Sequence, residues 1–315
     1  MDIKLDRYCF GADIGGTTIK LGLFTPGGDI VKKWEIPTRK EDNGSHILED
    51  IAAAIKSEME VRGLSKDNII GVGAGAPGPV DKDGVVYKAV NLGWGILNMQ
   101  QELNRLTGLM VRAGNDANIA ALGEMWKGGG EGFKDLVVVT LGTGVGGGVI
   151  IDGKVVSGCL GGGGEIGHIH IEDNETEICG CGNKGCLEQY TSATGIVRLA
   201  KRRLEKDDME SRLRGGEVTA KTVFDAVKAG DALAIEVAEQ FGEYLAKGLA
   251  TVACVTNPEV FVIGGGVSKA GEVLLDYVKK YYKQYVFHAS ADAKFKLAKL
   301  GNDAGIYGAA KLVLE

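Results

Sequence analysis

Asp13-Ile14-Gly15-Gly16-Thr17-Thr18 and Leu141-Gly142-Thr143-Gly144-Val145-Gly146-Gly147-Gly148 are two turns of glycine and threonine about half a chain apart. Each is framed by apolar β-like runs: Tyr8 to Ala12 and Ile19 to Phe24 around the first, Leu136 to Thr140 and Val149 to Ile151 around the second. Both therefore read as antiparallel hairpins, and the architecture reads as duplicated. A turn of this composition can aim consecutive backbone N–H groups at an anion with no side chain in the way, and its hydroxyls add donors. One such turn alone reads equally as a hairpin that needs positive φ. Two in a repeated topology point to an enzyme that handles nucleotides. Asp13 would repel phosphate unless Mg²⁺ or its water shell stands between them, which places it in a metal-phosphate region.

Strand and helix alternate outward from these turns, so the class is α/β. Apolar residues at helical spacing predict a surface helix from His46 to Arg62, and Ile69 to Ala74 reads as a buried strand ended by the rigid Ala76-Pro77-Gly78-Pro79. A helix beginning near Asn98, a strand over Leu109 to Ala113 and a helix over Asp116 to Trp126 follow. The second half carries predicted helices over Leu187 to Leu204, 218 to 229 and 231 to 254, then the strand Val260 to Ile263. Gly264-Gly265-Gly266 then opens a predicted helix running to about Tyr282. That triple glycine either passes under a nucleotide or is a packing turn. The two-signed charge of Lys201 to Arg214 reads as a solvated helix face.

The 315 residues suffice for two cores, and 44% hydrophobic with 25% charged residues is ordinary for a globular protein. A net charge of −6 excludes the basic stripes that bind nucleic acid or anionic membranes, so the partner is a small solute. The start of the chain, with Asp2, Lys4, Asp6 and Arg7, carries no apolar leader, and no run of eighteen apolar residues follows, so the expected location is cytoplasmic. Cys9, Cys159 and Cys254 stand apart in apolar or small-residue surroundings and read as buried, inert thiols.

Gly114-Asn115-Asp116-Ala117-Asn118 lies between a strand and a helix, where α/β sites gather. Asp116 can simply cap the helix. Phosphoryl transfer to an alcohol, however, needs a carboxylate to accept the hydroxyl proton, and Asp116 is the residue placed to be that base.

In chain order, Asp13 to Thr17, Ala76-Pro77-Gly78-Pro79-Val80-Asp81, Asn115 to Asn118, Leu141 to Gly144, Gly164-Glu165-Ile166-Gly167-His168, a loop of three cysteines and Asn302-Asp303-Ala304-Gly305 resemble the ROK sugar kinases over nearly the whole chain. The resemblance implies two ribonuclease-H-like domains of the actin and hexokinase type with a cleft between them. The expected division is 1–117 plus 301–315 against 118–300. It implies ATP-dependent phosphorylation of a hexose with Asp116 as base, glucose and its 6-hydroxyl being the first expectation. An N-acetylhexosamine, mannose or fructose kinase is the alternative. A sugar-responsive repressor fits less well, since Asp13 arrives too early to leave room for a helix-turn-helix domain before it. Homodimers or homotetramers are common in such a family.

Cys179-Gly180-Cys181-Gly182-Asn183-Lys184-Gly185-Cys186, with a histidine upstream, offers four ligands suited to tetrahedral Zn²⁺. A disulfide is disfavoured in a reducing compartment, and Cys-x-Cys is not the usual redox spacing. The family pattern selects His168 over His170 as the fourth ligand. A closed site of this kind is structural, and fixing it fixes Glu165 and Glu188 nearby. The resemblance assigns Asn115, Asp116, Glu165, His168, Glu188 and, through its backbone, Gly78 to the sugar. Asp13, Gly15, Gly16, Thr17, Thr18 and Lys20, with Thr143, Gly144, Gly264 and Gly265, are assigned to Mg-ATP.

Overall fold

The computed structural model describes residues 7–315. Asp2, Lys4 and Asp6, on which the expected lack of a leader rests, lie outside the described residues. The first sheet contains β1 (Tyr8–Ile14), β2 (Thr18–Phe24), β3 (Ile30–Pro37), β4 (Ile69–Ala76) and β5 (Val111–Asn115) in the order β3-β2-β1-β4-β5. The second contains β6 (Leu136–Leu141), β7 (Val145–Ile151), β8 (Lys154–Val155), β9 (Val260–Gly264) and β10 (Lys294–Leu297) in the order β8-β7-β6-β9-β10. Each sheet starts with two antiparallel hairpin pairings and continues with two parallel ones. The two sheets are thus topological copies, and the two glycine turns occupy equivalent corners, β1–β2 and β6–β7.

The principal helices are α1 (Ile47–Val61), α2 (Met99–Thr107), α3 (Asp116–Lys127), α4 (Ala193–Lys206), α5 (Ala220–Lys228), α6 (Ala232–Thr256), α7 (Glu272–Tyr285) and α8 (Ala304–Leu312). Their starts follow local chemistry: the side chains of Asn98, Asn115, Ser192, Thr219 and Asp231 each accept a hydrogen bond from a backbone N–H of the first turn. The α1 face of Ile47, Ile51 and Ile55 is fully buried with Phe10, Leu21 and Leu23 of the first sheet. In the second half Phe241, Leu245 and Leu249 of α6 join Phe261 and Ile263 of β9 in a separate core. Burying side chains of this size contributes about 1.5–3 kcal/mol each.

Two predicted helices are interrupted. The one expected over Leu187 to Leu204 breaks into Glu188–Thr191 and α4, because Ser192 is extended (ψ 169°) to cap α4. The one expected from Gly264 to Tyr282 becomes a 3-10 turn, Val267–Ala270, and α7, divided by Gly271 at φ 85°. Cys9 is buried as expected, but Cys159 and Cys254 are exposed. Cys159 sits in a glycine-bordered loop and Cys254 on the outward face of α6, so small neighbours in sequence did not mean burial. Arg203 also departs from the solvated reading: it is buried and pairs with Asp207 and Glu236. Among the described residues no helix is long and apolar enough to cross a membrane.

The chain passes between the sheets twice, first through α3 and again through residues 298–303 into α8. Backbone meets backbone where α8 lies on the first sheet and on α3. A Cβ on Gly73 would fall 1.7 Å from Ala309 O, and one on Gly308 would fall 1.7 Å from Ile119 O. Only glycine admits that approach.

Candidate active site

A cleft of about 680 Å³ gathers residues from both sheets, including Asp13, Lys20, Asp116, Gly264 and Gly265. Asp13 is the penultimate residue of β1 and stands opposite Lys20 across the β1–β2 pairing. Burial raises the pKa of Asp13 and the Lys20 ammonium opposes the rise. Lys20 Nζ also donates to Asn302 O at 3.0 Å. Asp13 abuts α8 so closely that a Cβ on Gly305 would lie 2.4 Å from its Cγ. The Asn302-Asp303-Ala304-Gly305 stretch therefore belongs to the same wall as the first glycine turn.

None of Gly15, Gly16, Gly142 and Gly144 has positive φ, so left-handed geometry is not why glycine stands there. Gly15 and Gly144 are crowded: a Cβ would meet Thr18 O at 2.7 Å and Glu188 Oε2 at 2.3 Å respectively. A Cβ on Gly16 or Gly142 would meet nothing closer than 3.8 Å, which leaves one face of each open to an incoming group, although the Gly142 N–H already donates to Gly144 O at 3.0 Å. Gly265, by contrast, needs glycine for the fold: φ is 83° and a Cβ would strike Leu141 O at 2.4 Å.

Asp116 opens α3. Its Oδ1 accepts from its neighbours Ala117 N at 2.8 Å and Asn115 Nδ2 at 3.1 Å. Asn115 is itself fixed, since Nδ2 donates to Gly78 O at 3.0 Å and Oδ1 accepts from Asn118 N at 3.1 Å. Asn115, the residue before the candidate base, thus provides the helix cap, while Asp116 Oδ2 has no hydrogen-bond partner on another of the described residues. Burial, together with the negative charges of Asp13 and Glu165, lifts the Asp116 pKa to about 6 against the pull of the Ala117 N–H. A carboxylate with one free oxygen and a raised pKa suits general base work near neutral pH.

His168, Cys179, Cys181 and Cys186 converge, their ligand atoms all within 4.8 Å of one another. Cys181 and Cys186 sulfurs are 3.6 Å apart, and Cys179 Sγ is 3.7 Å from His168 Nδ1. The edge of a tetrahedron around zinc with bonds of about 2.3 Å is about 3.8 Å, so the donor set and its spacing fit Zn²⁺. His170 instead faces solvent and bonds Lys184 O and Asp173. Because His168 turns Nδ1 to the thiols, Nε2 remains for another partner. Glu188 stands on the other side of the cluster: Oε1 lies 3.2 Å from Cys179 Sγ and Oε2 accepts from Val145 N at 3.1 Å. The cysteine loop and the second glycine turn are therefore linked through one carboxylate.

The predicted residues do not all share one hollow. Thr143 and Gly144 line a second one with Cys179 and Glu188, and Gly16 and Thr17 line a third with Lys40 and Asn91. Glu165 is exposed and reaches Asp116 electrostatically.

Sequence reasoning missed two groups. Glu124, in the third turn of α3, is only 2% exposed and lines the main cleft. Glu175, also buried, accepts from Arg202 and Tyr190 and pairs with Arg198, fixing the segment that leads into Cys179. Its pKa falls to about 2: burial works against the shift, and the bonds from Tyr190, Glu177 N and Arg202 with the Arg198 charge overcome it.

A family model described as ROK family matches residues 9–315. The chain is 47% identical to a glucokinase of Halalkalibacterium halodurans, over 98% of this chain and 96% of that one. It is 36% identical to the glucokinase of Thermotoga maritima over 97% of this chain and 96% of its relative. A crystal structure of a ROK family glucokinase from Streptomyces griseus, in complex with glucose and AMPPNP, superposes with a TM-score of 0.74 at 34% identity, covering 97% of this chain and 98% of the other.

Proposed function

The chain belongs to the ROK family, and on that footing we propose that it transfers the γ-phosphoryl group of ATP to the 6-hydroxyl of glucose, with Asp116 as general base. The observation that carries the base assignment is the Asp116 carboxylate: fixed through Oδ1, with Oδ2 unengaged by other described residues, in the wall of the cleft between the two sheets. Asn115 orients it from behind, and Glu165, His168 Nε2 and Glu188 stand as acceptors and donors for the sugar hydroxyls. Gly78 is drawn into the same site through its carbonyl, which Asn115 holds.

On the donor side the open backbone of the glycine turns, with Thr17, Thr18, Thr143 and Lys20, receives the phosphates, and Gly264 and Gly265 leave room for the nucleotide. Asp13 would hold Mg²⁺, which would supply charge neutralisation for the transferring phosphoryl group. The four-ligand cluster holds a structural Zn²⁺ whose site has no open position for a substrate. Closure of the cleft, about a division at 1–117 plus 301–315 against 118–300, excludes water as a competing nucleophile. We place the reaction in the cytoplasm, and the resemblance implies a homodimer or homotetramer.

The test is ADP release from Mg-ATP with glucose, N-acetylglucosamine, N-acetylmannosamine, mannose and fructose offered separately. A large preference for glucose supports the reading. Preference for another sugar keeps the chemistry and moves the substrate, and no turnover with any sugar overturns it.

A further inference from the structure

Glu124 is a carboxylate with no cation against it among the described residues, buried in the last third of the helix that Asp116 begins. Three backbone N–H groups satisfy it: Gly129 N at 2.7 Å and Lys299 N at 3.0 Å on Oε2, and Leu300 N at 2.9 Å on Oε1. Gly128 is cut away to admit it, for a Cβ there would lie 2.0 Å from Oε2. Two of the three donors belong to the second crossing between the sheets, residues 298–303. The first crossing is α3 itself, so one side chain fastens the two crossings together.

What hangs from that segment is one wall of the cleft. Two residues beyond Leu300, the Asn302 carbonyl takes the Lys20 ammonium, and three further on Gly305 sits against Asp13. Lys299 and Asn302 line the cleft beside Gly264 and Gly265. The sugar-side groups Asn115, Glu165 and His168 are held by Gly78, the turn Ile166–His168 and the cysteine loop, none of which bonds Glu124.

We propose that Glu124 is a positioning residue for the phosphoryl donor: by gripping the amides of Lys299 and Leu300 it fixes the wall against which Lys20 and Asp13 stand, without touching the sugar side. The proposal rests on the kinase reading above. A carboxylate is required because only an acceptor with two oxygens can serve three converging N–H groups. The amide of Glu124→Gln would turn an NH₂ toward one or two of those donors and leave them unpaired, a loss that corresponds to about ten-fold or more in affinity for what they position. Ala298→Gly loosens the same segment with Glu124 intact.

The experiment measures KM for ATP and for glucose in the full-length enzyme, and binding of Mg-AMPPNP and of glucose by calorimetry, in the wild type, Glu124→Gln and Ala298→Gly. The expected result is an ATP KM and an AMPPNP Kd raised about ten-fold in Glu124→Gln, and in the same direction in Ala298→Gly, with glucose Kd within two-fold of the wild type. A merely structural role would lower the amount of folded enzyme and leave both affinities unchanged. The proposal is overturned if AMPPNP binds both variants as tightly as the wild type, or if glucose affinity falls in step with it. Should Glu124→Gln fail to fold, Glu124→Asp, which keeps two oxygens but withdraws them from the Lys299 and Leu300 amides, takes its place with the same outcomes. A wild type that binds AMPPNP but does not phosphorylate glucose defeats the kinase reading for glucose, while the binding comparison still decides the role of Glu124.

Discussion

Glu188 Oε1 lies 3.2 Å from Cys179 Sγ while Oε2 of the same carboxylate accepts from Val145 N, so a cysteine of the four-ligand cluster and the second glycine turn share one side chain. In the proposed reading metal and sugar site are coupled through it. Elemental analysis should find one zinc per chain, and Cys181→Ser should lower that content. The same substitution should weaken glucose binding about ten-fold or more, the range seen when groups that orient a site are lost. Unchanged glucose affinity in zinc-free protein would contradict the coupling.

The raised pKa of Asp116 sets a pH dependence for the reaction. A base must be ionised to accept a proton, so kcat/KM should fall as pH drops through about 6, ten-fold for each further unit. The same shift has a consequence for stability with the opposite preference. The folded state holds the Asp116 proton more tightly than the unfolded chain does. Its contribution is therefore greatest below about pH 4, the ordinary range of the side chain, and is lost as pH rises through about 6. Asp116→Asn should accordingly be more stable than the wild type at pH 7.5, by about 1–3 kcal/mol, and the difference should vanish toward pH 4. Thermal or urea unfolding at the two pH values measures it.

Gly305→Ala places a methyl against the Asp13 carboxylate, where a Cβ would be 2.4 Å from Cγ. Either Asp13 or α8 must move. Overpacking of this kind costs about 1–3 kcal/mol of stability. Turnover should fall further than the loss of folded protein explains, because the proposed function sets the displaced group beside the phosphates. Equal specific activity per folded molecule would show that Asp13 has no part in the reaction.

Glu175 is buried between Arg198, Arg202 and Tyr190, ahead of the cysteine loop. Glu175→Gln should destabilise the protein by about 1–3 kcal/mol at pH 7, since it removes a buried charged acceptor while Arg198 and Arg202, partly exposed, keep their pairing with Glu177. With the pKa lowered to about 2, the stabilisation is present above about pH 4 and is lost as pH falls through about 2. The gap between mutant and wild type should therefore narrow in acid, as urea titrations at pH 7 and pH 3 would reveal. A gap independent of pH would place the effect in packing.

The paired hairpins, the α/β alternation, the Asp116 helix and the cysteine cluster were legible because each is encoded within a short stretch: glycine turns between apolar runs, an Asx residue at a strand's end, four ligands within nineteen residues. What was not legible depends on residues distant in the chain. Glu124 looks like the solvent side of an amphipathic helix until Lys299 and Leu300 arrive to bond it. Gly305 reveals its purpose only against Asp13, and Cys254 shows its exposure only once α6 has chosen which face to bury. Ser192 broke a predicted helix because a cap and a continuous apolar periodicity compete, and the cap prevailed.

Proton acceptance by Asp116 is central to the proposed reaction, and the most direct measurement is ADP release from Mg-ATP and glucose by Asp116→Asn, with glucose affinity determined by calorimetry on the same preparation. The amide keeps the size of the side chain and its Oδ1 contacts but cannot take the hydroxyl proton. Turnover should fall by about 10²–10⁴-fold, the usual contribution of general base catalysis, while glucose binds within a few-fold of the wild type. Turnover near that of the wild type would contradict the assignment of Asp116 as the base.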